Sequence, residues 1–527
     1  MTGQRDIQTF PEPEICMENI HKVEADMSSP VREPDVPKYP SSLRLWLAVI
    51  ALCLGIFLAT LDSTIIATAT PYITDEFHSL DEAGWYSSIY TMAICMSQLV
   101  YGKLSASCPI QWIYSAAMLL FLIGSAVCGS APNSPALIAG RAIAGLGCSG
   151  LLIGAFSLVP FLAAPEKRPI LLGLISGSRG LATTFGPLIG GALTERASWR
   201  WNFYINLPLG AVIQIVFWLS GQFVRSIDLI GFIALAPSVV CLLLALQWGG
   251  VQYGWGNARI VVLLILSATL GIIFILIEVQ QGSKAMLPAR IFSQRTVASA
   301  SFFAFCTSGS IFILTYYLPI WFQGVKGVSP MQSGIDMLPW VITSTITSLA
   351  AGVLISKIGH AQYFLVISTV FGALGSGLFT TFSLHTTDGQ WIGYQILYAI
   401  SSSLASITPL LVVQNALALG DVPIGSSMVM FTQTLGASIF VSTAQALFTN
   451  NLSENLRGLD VAGLSANVVA SGGITTITRD LSGETKTMVL GAISDALTQS
   501  WYLAVGLSCL SIVGALVVEQ GRMKREN

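Results

Sequence analysis

Charge is what this 527-residue sequence has least of. Asp, Glu, Lys and Arg make up 10% of it, against about 25% in an average soluble chain. Apolar residues make up 53%, and the mean hydropathy is +0.71. A soluble protein this apolar cannot cover its surface with polar groups, so composition leaves the membrane class. No sign of charge dominates, with 25 basic against 27 acidic residues. No basic stripe marks a nucleic-acid partner. Histidine is scarce: His21, His78, His360 and His385 are scattered and none lies deep in an apolar run. That excludes the histidine-rich metal boxes of a membrane desaturase, and no metal is expected. No Gly-x-x-x-x-Gly-Lys-Ser/Thr occurs, so the phosphate cradle of an ATP-driven pump is absent. The nine cysteines form no disulfide pattern. Cys53, Cys95, Cys128, Cys148, Cys241, Cys306 and Cys509 fall inside apolar runs and read as free thiols packed as small hydrophobes. A cleavable signal peptide is also missing, because residues 1–43 are polar, rich in Pro, Glu and Asp, and lack an apolar core. They read as a disordered cytosolic tail.

What is present is a series of apolar runs. A membrane span needs about 20 mostly apolar residues, and fourteen candidates appear. The first eight lie at 45–69, 84–104, 111–130, 135–159, 169–191, 199–221, 229–248 and 260–280. The rest lie at 296–319, 331–356, 362–381, 390–413, 424–447 and 499–518. The pattern is that of an all-α polytopic membrane protein, and the span count excludes a seven-helix receptor. With the N-terminus placed in the cytosol, sixteen Lys and Arg fall on the cytosolic side and seven on the other. Lys and Arg favour the cytosolic side, so both termini are expected there, the last at 519–527. A Ser/Thr/Gly-rich outer loop is expected at 448–498. It carries Asn451-Leu452-Ser453, a glycosylation triplet.

A few ionisable residues remain inside the spans. Asp62 lies in LATLDSTIIATATP, Arg141 in ALIAGRAIAGLGCSG and Arg179 in span 5. An arginine at a helix centre costs roughly 2.5–3.5 kcal/mol on insertion scales, and such residues mark functional sites by default. A buried structural pair is the plain alternative for Asp62 and Arg141. Glu278 and Asp336 sit near span ends, within reach of water. Span 5 also holds GSRGLATTFGPLIGGAL. Pro187 has no N–H and is expected to break the helical ladder there. Ser178, Ala182 and Gly186 recur every four residues, a spacing that lets helices approach closely.

These stretches together resemble the major facilitator superfamily. The likeness is to its fourteen-span drug:proton antiporters, and among them to the fungal toxin and multidrug efflux pumps of the aflatoxin-pump and trichothecene-pump group. It runs from about Leu43 to Leu516. LDSTIIATATP (Leu61–Pro71) resembles the first-span motif, with Asp62 at its acidic position. GRAIAGLGCSG (Gly140–Gly150) resembles the fourth-span motif Arg-x-x-x-Gly-x-Gly, which places Arg141 at the arginine implicated in proton coupling and Gly145 at its first glycine. GPLIGG (Gly186–Gly191) resembles the antiporter motif, including Pro187, Gly190 and Gly191. SWRWNFYINLPLG (Ser198–Gly210) is similar to the segment that opens span 6, and LALQWGG, SGIDMLP and PIGSSMVMFTQTLGASIF are similar to later segments. The sequence also departs from the family. After span 2 it reads GKLSASCPIQ, with Ala106 and Ser107 for the usual aspartate and arginine and Pro109 for the second glycine. That removes the charged latch between the halves. A fainter echo, GVLISKIGH (Gly352–His360), has Ser356 in the acidic place and keeps Lys357.

The resemblance implies a major facilitator fold of 14 transmembrane helices. Six-helix bundles would span 44–221 and 296–518, with two linking helices at 229–280. Substrate would bind near the midplane while the halves rock around it. The implied activity is proton-coupled export of a bulky, largely apolar organic compound such as a secondary metabolite, mycotoxin or drug. The protein would be a secondary active transporter, not an enzyme, driven by the proton gradient without a cofactor. Its partners would be the small-molecule substrate, protons and the lipid bilayer, and it is expected to act as a monomer. The plasma membrane is its expected site, with a vacuolar or vesicle membrane as the other placement. Asp62 would take the proton, since burial favours the neutral acid and a nearby arginine the ionised form, and Arg141 would hold the counter-charge. Arg179, which the family pattern does not cover, and Asp336 are candidates for substrate contact. A siderophore:proton antiporter, an importer of the same fold, and a non-transporting sensor are the alternatives.

Overall fold

The computed structural model describes residues 42–77, 82–107, 109–219, 258–281, 289–457 and 483–519, with isolated positions between 241 and 257. The expected tail at 1–43 falls outside them apart from its last two residues. So do most of the span at 229–248 and nearly all of the terminal segment at 519–527. The described residues of 42–519 form one body, helical throughout and without a strand.

The first helices are α1 (Ser42–Phe77), α2 (Ala83–Ser107), α3 (Ile110–Gly129), α4 (Ser134–Leu162) and α5 (Arg168–Arg196), then the short α6 (Trp201–Tyr204) and α7 (Asn206–Leu219). After α8 (Ala258–Gln281) and α9 (Ala289–Phe292) come α10 (Arg295–Gly324), α11 (Pro330–Asp336), α12 (Leu338–Ile358), α13 (Gln362–Phe379), α14 (Asp388–Ala416), α15 (Val422–Arg457) and α16 (Gly483–Val517). Ten of the described helical stretches are long and apolar enough to cross a membrane. Helices α2, α5 and α8 occupy three more of the expected spans. Ser, Tyr and Gln in α2, and Gly, Ser, Thr and Arg in α5, lower their mean hydropathy because these helices face protein. Large apolar side chains such as Leu119, Ile215, Ile265, Ile346 and Leu374 are exposed on the outer faces, as a hydrocarbon solvent permits.

Helix ends follow local chemistry. Asn133 caps α4 by accepting from the Ala136 N–H at 3.0 Å. A capping box of Thr387 and Gln390 opens α14. Gly359, at φ 75°, closes α12 in the left-handed conformation that glycine adopts without strain. Three readings of the sequence change here. Helix α5 runs on through Gly186 and Pro187, since proline removes one ladder hydrogen bond and the rest persist. The expected sixth span is interrupted at Ile205, between α6 and α7, and the tenth at Met337, between α11 and α12. The stretch between the last two helices is shorter than the expected loop at 448–498, because α15 continues to Arg457 and α16 starts at Gly483. Phe448, Leu452 and Leu456 recur every four residues and bury against Val489, Ile493 and Leu497. That helical spacing outweighs the polar composition around it. Asn451 therefore lies within α15, half-buried, and not in a loop.

Helices alternate in direction, so α1, α5, α10 and α15 begin, and α2, α4, α12 and α14 end, at one common end of the molecule. Toward that end a single apolar core joins helices of both halves, including Leu99, Phe156, Ile175, Ala351, Ile355, Leu410 and Met428. Toward the opposite end the cores separate. One joins Ile66, Ile73, Leu137 and Phe203 of the first helices, and another joins Ile313, Trp321, Phe379 and Trp501 of the later ones.

Candidate functional site

The ionisable residues of α1 and α4 meet in the half of the molecule where the cores are separate. Arg141 donates from Nη1 to Asp62 Oδ2 at 2.6 Å, and neither side chain has any exposed surface. From Nε, Arg141 also donates to the Tyr86 carbonyl of α2 at 2.8 Å. Its guanidinium lies 4.0 Å from the centre of the Tyr90 ring, a cation–π contact that partly replaces lost hydration. Tyr90 is held in turn by donating to the Ala59 carbonyl of α1 at 3.1 Å. The other Asp62 oxygen, Oδ1, accepts from Asn206 Nδ2 of α7 at 2.8 Å, and the same amide nitrogen donates to Ser125 Oγ of α3 at 3.0 Å. Five helices thus converge on one carboxylate. Two buried polar atoms at this site have no partner, Arg141 Nη2 and Asn206 Oδ1.

The glycines around Arg141 bring the helices together. A Cβ on Gly145 would lie 2.5 Å from the Tyr90 carbonyl oxygen of α2, so only glycine lets α2 come near enough for Tyr90 and the Tyr86 carbonyl to reach Arg141. On α5, a Cβ at Gly186 would overlap the Thr64 side chain of α1, two residues past Asp62. Gly190 is buried, whereas a Cβ on Gly191 would meet nothing.

The segment between α5 and α7 fixes Asn206. Trp199 donates from its indole to Glu76 Oε2 at 2.6 Å, and Arg200 Nη1 lies 2.9 Å from Glu76 Oε1. Glu76 stands at the end of α1, beyond its membrane-crossing part, Ser42–Ile66. The Trp199 hydrogen bond holds its carboxyl below its usual range against the opposing effect of burial, and Arg200 adds to the lowering. Arg200 Nη2 also donates to the Ala131 carbonyl after α3 at 3.1 Å. This clasp ties the start of the segment to α1 and α3, and Asn206 follows at the break.

Arg179 sits midway along α5 and is half-buried. Its guanidinium is within electrostatic reach of the Cys148 thiol of α4, and among the described residues it has no acidic partner. A Cβ on Gly180 beside it would lie 3.0 Å from Thr345 Oγ1 of α12, so this stretch of α5 borders the later helices. Asp336 lies elsewhere, at the end of α11, where Oδ1 accepts from Gln332 Nε2 at 2.9 Å and its carbonyl from Gln395 Nε2 at 2.8 Å. The side chain of Glu278 is outside the described residues. Sequence reasoning singled out Asp62 and Arg141 but missed Asn206, Ser125 and Tyr90. The signal for Asn206 was its place as a polar residue at the head of the apolar run NLPLGAVIQIVFWL. Ser125 and Tyr90 gave none.

The later helices carry a counterpart. Ser310 Oγ lies 2.6 Å from the Tyr398 hydroxyl and 2.8 Å from Ser508 Oγ, and Thr369 Oγ1 lies 2.9 Å from Ser511 Oγ. These residues belong to α10, α13, α14 and α16, the first, third, fourth and sixth spans of their half. Asp62, Ser125, Arg141 and Asn206 occupy the same four places in the first half. One cluster carries charge and the other only hydroxyls.

Comparison with known proteins places the chain among relatives. The model of the Major Facilitator Superfamily matches residues 52–441. The MFS-type efflux pump MFS1 of Arthroderma benhamiae is 42% identical, over 92% of this chain and 93% of its own. Efflux pump aflT of Aspergillus parasiticus is 40% identical, over 92% of this chain and 97% of its own. Among solved structures, a double-Trp mutant of XylE matches with a TM-score of 0.59 at 13% identity, covering 91% of this chain and 97% of its own. The human organic anion transporter MFSD10 matches with a TM-score of 0.57 at 15% identity, covering 88% and 99%; these two likenesses concern the fold. An all-helical multi-pass chain with a buried acid–arginine pair between its first and fourth spans, at about 40% identity to fungal efflux pumps over most of its length, is a transporter and not an enzyme, and it belongs to the major facilitator superfamily, among the fungal efflux pumps.

Proposed function

We propose that the protein exports a bulky, largely apolar organic compound in exchange for protons, by alternating access, at the plasma membrane with both termini in the cytosol. The observation that carries this reading is the Asp62–Arg141 ion pair, 2.6 Å long and sealed from solvent. Removing two charges from water costs several kcal/mol per ion before their attraction returns part of it. A purely structural contact is met as well by apolar residues. A carboxylate retained at such cost, on a helix that must move, suits a group that gains and loses a proton during the cycle.

The separated cores suit a conformation open on the side away from the termini, with Asp62 in that half. A proton reaching Asp62 there neutralises it and frees Arg141 from its partner. The halves then exchange which end is joined, and the proton leaves to the cytosol. The substrate takes its place near Arg179, where the unpartnered guanidinium favours an anionic or carbonyl-rich group on an otherwise apolar molecule. The chain completes its site with its own residues, which suits a monomer. The test is Asp62→Asn, assayed by dye and toxin efflux driven by an imposed pH gradient. The expected result is loss of gradient-driven export with normal protein abundance; normal export by this variant would overturn the proton reading.

A further inference from the structure

We infer that Asn206 is the positioning residue that lets Asp62 exist in both protonation states, by turning its side-chain amide between donor and acceptor. The inference rests on Asp62 as the proton-carrying group. Oδ2 faces Arg141 Nη1, and a guanidinium has donors only. A proton on Oδ2 would point at another donor with nothing to accept it. Oδ1 faces Asn206 Nδ2. A carboxamide carries a donor end and an acceptor end, so among the described residues Asn206 is the hydrogen-bond partner of the carboxylate that serves it both ways.

The present arrangement is that of the ionised acid, with Nδ2 donating to Oδ1 and Asn206 Oδ1 turned away, buried and without a partner. When a proton from water binds Asp62 Oδ1, an O–H bond forms there. A half-turn of the amide then brings Asn206 Oδ1 round to accept it. Ser125 Oγ, which now accepts from Nδ2 at 3.0 Å, rotates its hydroxyl to donate to the same oxygen. One end of the amide is unpartnered in each state, so the turn itself favours neither, and proton binding and release stay reversible. Loss of the proton to water restores the starting bonds. The break at Ile205 puts Asn206 at the first residue of α7, held from the other side by the Trp199–Glu76 clasp. The charged or titratable groups around Asp62 are Arg141 of α4, Tyr90 of α2, Cys128 of α3 and Cys148 of α4. Among the described residues of α5 and α7, none that titrates contacts it.

The test reads Asp62 directly and needs no substrate: pH-difference infrared spectroscopy of the full-length protein in lipid nanodiscs, following the carbonyl band of a protonated carboxyl. Wild type should show a reversible band that is absent in Asp62→Asn. In Asn206→Leu, of similar volume but without polar atoms, the band should move to the higher frequency of a carboxyl lacking an acceptor. Its titration midpoint should also move, because the ionised acid loses a charge-assisted hydrogen bond and the neutral acid an ordinary one, which is about half as strong. Asn206→Ser, whose hydroxyl also donates or accepts, should restore both. Asn206→Ala gives the same reading as leucine if the larger residue prevents folding. An Asp62-dependent band with unchanged frequency and midpoint in the leucine and alanine variants would overturn the role of Asn206 and leave Asp62 as the proton site. A wild type with no Asp62-dependent band would overturn the proton site itself.

Discussion

The pair at Asp62 behaves differently toward each kind of substitution. Asp62→Ala leaves Arg141 buried without a counter-charge, and breaking a buried pair in this way costs about 3–5 kcal/mol. Lower abundance and a lowered melting temperature are expected from alanine, whereas asparagine keeps a hydrogen-bond acceptor. Arg141→Lys keeps the charge but loses the planar fork that reaches Asp62 and the Tyr86 carbonyl together. Export should fall by more than tenfold; unchanged export in the lysine variant would mean that charge alone suffices. Arg179 makes no such bonds, so its removal should be mild for folding. Arg179→Ala is expected to change which compounds are exported, against acidic and carbonyl-rich ones first, without abolishing transport. A toxin and drug panel compared with wild type reads this, and an unchanged spectrum counts against substrate contact.

At the level of elements, close approach and clasping decide the geometry. Gly145 and Gly186 set how near α2 and α5 come to the helices that carry the charges. The Trp199–Arg200 clasp on Glu76 joins α1 to the segment before α7. The carboxyl of Glu76 is held below its usual range. Its contribution is therefore complete at neutral pH and is lost as pH falls through the lowered folded value. Hydrogen exchange over residues 199–205 should be slow at neutral pH and rise on acidification below the ordinary glutamate range. In Glu76→Gln the same segment should exchange faster at neutral pH and respond little to acid. A pH-independent segment in wild type would remove the clasp from the account. The sequence showed these elements well where periodicity was strong. The breaks at Ile205 and Met337, and the run of α15 to Arg457, depend on packing against other helices, which local composition does not encode.

Among the described residues the two halves share a core at one end, and neutral side chains and backbone groups cross between them there. Gln414 Nε2 of α14 donates to the Phe156 carbonyl of α4 at 3.0 Å, and Gln98 Nε2 of α2 donates to Thr434 Oγ1 of α15 at 3.0 Å. Ser356 Oγ donates to the Glu166 carbonyl, and a Cβ on Gly352 would lie 2.5 Å from the Pro169 carbonyl oxygen. Ser356 and Gly352 belong to the echo segment GVLISKIGH. Hydroxyl, amide and close backbone contacts thus cross between the halves at the end where Ala106 and Ser107 stand in place of the latch's charges. Such bonds are weak one by one, about 0.5–1.5 kcal/mol each, as suits a join that must open for alternating access. Gly352→Phe places a ring where only a hydrogen fits. Export should drop by more than tenfold at normal abundance; full export would show that this join need not re-form.

By itself the sequence determined that the chain is an all-helical membrane protein, where most helices lie, and that Asp62 and Arg141 are the charges to explain. Those features are local: hydrophobic runs, and ionisable residues too costly to keep in them without use. Only the tertiary structure decided that the two charges touch, that Asn206, Ser125 and Tyr90 complete their surroundings, and that Arg179 has no acidic partner among the described residues. It also decided that the matching place in the second half holds hydroxyls alone. Each of these joins helices distant in sequence. Contacts of that kind are set by how glycines and small residues let helices approach, a property of pairs of surfaces that no single segment carries.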